Sequence, residues 1–157
     1  MRLFYDSAEP QLIPDDLAKS AYGCAAYRTG YPWPPSQVAR FRRHFYIVQT
    51  PVSPSSYAKL ARCIDVETYA VDPGEVHKFV KTRQANGFSD ATVYCGEEEY
   101  LAIRKLDPTL HFRLWAADWT GSPHRVTWGE GDEALGCWAT QFDSTDDYDT
   151  SVLYGEW

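Results

Sequence analysis

Apolar and polar positions along the chain fall into short blocks rather than long stripes. Leu3-Phe4-Tyr5 is a strand-like run that ends at Asp6. Similar runs recur at Tyr22 to Tyr27, His44 to Gln49, Ala61 to Glu67, Ala91 to Cys95, His111 to Ala116, His124 to Trp128 and Cys137 to Phe142. A short last strand is expected at Ser151 to Tyr154. These runs concentrate the β-branched, aromatic and small residues that strands favour. Between several of them the apolar period lengthens. Pro14 to Lys19 reads as a short helix with Asp15 and Asp16 in its first turn. Ser36 to Arg43 has helical spacing, with Val38 and Phe41 on one face. Ser55 to Leu60 allows one or two helical turns. Asp72-Pro73-Gly74-Glu75 is a helix start, with Asp as the cap and Pro at the first position. Val76, Phe79 and Val80 give that helix its buried stripe, and Asn86-Gly87 ends it. Glu97-Glu98-Glu99 opens another helix, with charges that suit its dipole. The prolines between Gly30 and Pro35 exclude regular structure there. Thr50 to Pro54 and Asp118 to Pro123 read as loops, and Gly129 to Glu133 as a polar turn.

Strands alternating with helices and short loops define an α/β protein with a largely parallel sheet. A full eight-fold α/β barrel takes about 250 residues. This chain has 157, enough for one domain with a real core. The expectation is therefore a single domain over residues 1–157: a compact, trimmed TIM-like (β/α) barrel in which loops replace several helices.

Composition narrows the functional classes. The formal net charge is −7, which disfavours nucleic acid and anionic membranes as partners, because both want a basic face. No run approaches the ~20 apolar residues of a membrane span. Met1 leads directly into the first strand-like run, so no secretory signal is visible and synthesis in the cytoplasm is expected. Cys24, Cys63, Cys95 and Cys137 form no C-x-x-C pair and each sits in an apolar run, so they read as reduced core thiols. His44, His111 and His124 show no paired spacing, so no metal site is expected. The 6 Trp and 11 Tyr matter more, because rings at a cleft stack on sugars as readily as they fill a core.

In such barrels chemistry sits where the strands end. Asp65 and Glu67 are two apart, so in a strand both side chains point the same way, with Cα atoms roughly 7 Å apart. Paired acids in one pocket serve glycosidic cleavage, a metal site, or simply a polar strand end. Asp6 ends the first strand, Asp118 follows the sixth, and Asp149 lies beside the last. Tyr94 and Gln141 sit near the ends of theirs. Carboxylates gathered at one mouth repel each other, which raises at least one pKa and makes a general acid. Trp33, Trp115 and Trp119 are the candidate stacking rings.

The order of these pieces resembles glycoside hydrolase family 25. The likeness rests on Asp6 after an N-terminal strand, Ile64-Asp65-Val66-Glu67, Val93-Tyr94 and Leu114-Trp115-Ala116-Ala117. Thr120-Gly121-Ser122-Pro123-His124, Ala139-Thr140-Gln141-Phe142 and Tyr148-Asp149-Thr150-Ser151-Val152 look more like hydrolase-like relatives from phages and actinobacteria. The resemblance implies a lysozyme that cuts peptidoglycan between N-acetylmuramic acid and N-acetylglucosamine, with retention and without metal or organic cofactor. Glu67 matches the general acid. Asp65 matches the neighbour that orients the substrate N-acetyl group or stabilises positive charge. Asp6 and Asp149 match supporting carboxylates, and Tyr94 a substrate-side hydroxyl. Phage kinship implies virion or lysis proteins as partners, and release at host lysis or association with the virion. The chain departs from the family in its short length, its Gly30 to Pro35 segment and the absence of a wall-binding module. These departures keep a second reading open: a catalytically weak or inert glycan-binding or virion-structural domain on the same barrel.

Overall fold

The computed structural model describes residues 1–49, 54–67, 72–128 and 136–157. The loop expected at Thr50 to Pro54 falls almost wholly, and the polar turn at Gly129 to Glu133 wholly, outside them. Eight strands close into a barrel in chain order: β1 (Arg2–Asp6), β2 (Gly23–Tyr27), β3 (His44–Val48), β4 (Cys63–Val66), β5 (Thr92–Cys95), β6 (Arg113–Ala117), β7 (Ala139–Ser144) and β8 (Asp149–Leu153). The pairs from β1 to β7 are parallel. β8 runs antiparallel to both β7 and β1. The reason is the connection: only residues 145–148 separate β7 from β8. A parallel crossover needs a dozen residues or more, whereas a hairpin needs few.

The helices are α1 (Asp15–Ser20), α2 (Pro35–Val38), α3 (Pro73–Ala85) and α4 (Glu97–Leu106). α3 forms as its sequence dictates. Asp72 caps it by accepting hydrogen bonds from the Gly74 and Glu75 amides at 2.7 and 3.1 Å. Gly87 follows its end at φ +83°, where a side chain would be strained. Two sequence expectations need correction. The helix expected over Ser36 to Arg43 is a single turn that begins at Pro35, after which the chain turns toward β3. His124 to Trp128 is not a strand. It is an irregular loop laid on the barrel, with Val126 buried and its carbonyl bonded to the Cys137 amide at 2.8 Å.

Period-two alternation divides the apolar residues between two cores. On β4 and β5, Ile64, Val66, Val93 and Cys95 point outward beneath α3 and α4, against Val76, Phe79 and Ile103. Tyr5, Cys24 and Ala26 face outward on the other side, with Trp33, Val38 and Phe41 packed on them. The interior takes the alternate set, including Phe4, Ala25, Phe45, Cys63, Trp115 and Ala139. Trp157 packs into this aromatic floor, with ring centroids 5.6 Å from Phe4 and 5.1 Å from Phe45. All four Cys are free and buried. No helix of the described residues is long and apolar enough to cross a membrane.

Candidate active site

Above the aromatic floor, the interior positions nearest the C-terminal ends of the strands turn polar. Asp6 closes β1 and is 2% exposed, while Asp65 on β4 is wholly buried. Glu67 stands one residue beyond β4 on the same face and is exposed to solvent. Asp149, at the start of β8 and paired with Asp6 in register, is half-buried. The mouth of the barrel thus collects four carboxyl groups from β1, β4 and β8.

Their mutual field acts in one direction. Burial raises the Asp6 carboxyl well above its ordinary value, and the charges of Asp149 and Asp65 raise it further. Burial does the same to Asp65, with Glu67 the next cause. Among the described residues neither oxygen of Asp65 has a hydrogen-bond partner. The Tyr27 hydroxyl tempers its shift without meeting hydrogen-bond geometry. An ionised carboxylate in that position carries a desolvation cost of several kcal/mol or more, so it stays protonated. Glu67 is also raised, first by the shelter of the barrel rim and then by Asp149 and Glu99, whereas any hydrogen bond donated to it by Tyr94 acts the other way. Asp149 is raised by burial and held back by Ser144.

One amide ties the group together. The Gln141 carbonyl oxygen accepts from the Tyr94 hydroxyl at 2.6 Å and from the Trp119 indole at 2.8 Å. The Gln141 amide nitrogen faces both oxygens of Asp6 at 3.4 Å. A bulge between Gln141 and Asp143 on β7 lies beside this side chain, a device that re-aims strand residues. Tyr94 also reaches Glu67 Oε1, at 3.4 Å.

Glu67, Asp65, Asp6, Asp149, Tyr94, Gln141 and Trp119 therefore lie together at the mouth. Two other candidates do not act as the sequence suggests. Trp115 is a fully buried floor ring, 4.7 Å from Tyr94 by centroids, with its indole on Ser151. Trp33 is buried on the outer face of the barrel, against Phe41 and the Ser7 carbonyl. Neither can stack on a ligand, because protein already covers its faces. Asp118, beyond the end of β6, pairs one carboxylate oxygen with His124 at 2.9 Å and remains partly exposed. Trp119, 59% exposed, is the ring left open. Gln141 and Tyr94 are themselves buried, so they touch the carboxyl groups rather than bulk solvent.

Two residues escaped the sequence reading. Tyr27 ends β2 as Asp6 ends β1, and its hydroxyl feels Asp6, Asp65 and Glu67. Ser151 holds the Trp115 indole. The strand-end rule finds Tyr27; nothing in the sequence marks Ser151. Among the described residues no group of three or more His, Cys, Asp or Glu is arranged to hold a metal ion.

A closed α/β barrel with an acidic mouth is a scaffold whose chemistry lies at the strand ends. No family model and no curated protein matches the chain. Solved structures do. A muramidase from Trichobolus zukalii superposes with a TM-score of 0.67 at 13% identity, covering 99% of this chain and 95% of that one. A glycosyl hydrolase 25 of Streptococcus pneumoniae gives 0.63 at 12%, covering 98% and 87%. A muramidase from Acremonium alcalophilum gives 0.62 at 11%, covering 99% and 95%. At such identities the likeness is one of fold, and it extends over nearly the whole chain.

Proposed function

We propose that the protein is a glycoside hydrolase acting on peptidoglycan, and that it cleaves the bond between N-acetylmuramic acid and N-acetylglucosamine. The observation that carries this reading is the gathering of Asp6, Asp65, Glu67 and Asp149 at one barrel mouth, with Glu67 as the member open to solvent. The shared fold with muramidases supports it. In this reading Glu67 is the general acid: its raised pKa keeps the proton it delivers to the leaving glycosidic oxygen. The half-buried Asp149 faces the positive charge that develops on the sugar. Asp6 and Asp65, whose burial favours their protonated forms, lie beneath Glu67 and leave the carboxylate of Asp149 to favour that charge. Trp119 offers its ring to a sugar face.

Purified peptidoglycan tests this directly. The wild type is expected to release reducing ends that become muramitol on borohydride reduction. Glu67→Gln should fold normally and lose about 10²- to 10⁴-fold in rate, the span of a general acid. Equal rates for the two proteins would reject the assignment. Glycan binding with no release of reducing ends by either protein would favour the inert binding domain instead.

A further inference from the structure

Gln141 is 1% exposed; its carbonyl oxygen accepts two hydrogen bonds, and its amide nitrogen faces Asp6 at 3.4 Å. Its orientation follows from chemistry. An indole N–H only donates, so the group facing Trp119 at 2.8 Å must be the carbonyl oxygen. That oxygen is then also the atom facing Tyr94 at 2.6 Å. A tyrosine hydroxyl has one proton and two acceptors within reach here. The 2.6 Å contact lies within the normal O–H···O range, whereas the 3.4 Å contact to Glu67 lies beyond it.

We propose that Gln141 is a positioning residue: its carbonyl accepts the single hydroxyl hydrogen bond of Tyr94, so that Tyr94 turns a lone pair to Glu67 and is placed to accept a hydrogen bond from the protonated Glu67 carboxyl. The inference rests on Glu67 being the general acid. Its consequence is that the resting site favours protonated Glu67, because the Tyr94 hydroxyl faces it as an acceptor. The other groups bearing on Glu67 are Asp65 on its own strand, Asp6 on β1, Asp149 on β8, Glu99 on α4 and Tyr27 on β2. None of these is a cation that would compete for the role.

Without the Gln141 carbonyl, the Tyr94 proton is free to swing to the Glu67 carboxylate and stabilise its charged form. The test is a ¹³C NMR titration of the Glu67 carboxyl in the whole protein, with the signal assigned by its loss in Glu67→Gln. Gln141→Met keeps the chain length, and Gln141→Leu is the second variant should the first misfold. Either should lower the Glu67 midpoint by about one pH unit. Gln141 also touches Asp6, so the same substitution is repeated in a Tyr94→Phe background, where it should move the midpoint no further. A midpoint that stays in place in Gln141→Met, or a shift that persists with Tyr94→Phe, overturns the proposal. The titration needs no turnover, so an inactive wild type would reject the hydrolase reading while this result still stood or fell on its own.

Discussion

Asp65→Asn should stabilise the protein at neutral pH, by an amount that grows as the pH rises. The wild-type carboxyl is fully buried, and neither of its oxygens is bonded to any described residue. In the unfolded chain it ionises near its ordinary value of about 3.9. In the native protein burial and Glu67 hold it protonated well above that. Below the unfolded value both states carry the proton and the two proteins differ little. Above it the native state binds more protons than the unfolded state, so wild-type stability falls with rising pH. The slope for one proton is about 1.4 kcal/mol per pH unit, and it continues until the native carboxyl ionises. Asparagine carries no such proton and escapes the loss. Asp6 contributes a slope of the same sign to both proteins, and because Asp65 is uncharged in the native wild type over this range, as asparagine is in the variant, their difference reports Asp65. Urea denaturation between pH 3.5 and pH 7.5 measures it. With a slope of about 2 kcal/mol per molar urea, each pH unit should separate the midpoints by roughly 0.7 M. Parallel pH curves, or a variant no more stable than wild type at pH 7, would refute the claim that this carboxyl is protonated and unpaired.

Two further outcomes follow from the geometry. Trp119→Ala removes the open ring at the mouth and should raise KM for peptidoglycan roughly 5- to 10-fold, the worth of about 1 kcal/mol of ring contact; steady-state kinetics on soluble glycan fragments would show it, and an unchanged KM would exclude stacking. Asp72→Ala deletes the cap of α3 and should cost about 1 kcal/mol, read as a urea midpoint lowered by roughly 0.5 M with kinetics unaffected.

Much of this arrangement was legible along the chain. Strand runs ending in Asp6 and in Asp65-Val66-Glu67 placed carboxyl groups at one edge before any contact was known, because alternation in a strand allows only two directions. The α3 cap and its terminating glycine were equally local. The antiparallel β8 was within reach too, since residues 145–148 are too few for a crossover. The rings were not. Trp33, Trp115 and Trp119 look alike in sequence, and only packing shows that two are sealed and one is open. His124 to Trp128 alternates like a strand but finds no strand partner, because β6 and β7 already pair with each other and leave no edge for it.

The residue order by itself determined the strand-like runs, the face each acid takes and the acidic make-up of the mouth, because these follow from periodicity and composition. Tertiary structure decided which acid meets solvent and which stays buried. It also decided that one amide on β7 joins Asp6 on β1 to Tyr94 on β5 and Trp119 after β6. Hydration and hydrogen-bond direction depend on what surrounds a side chain in space, and the neighbours of Gln141 come from segments as far as 135 positions away.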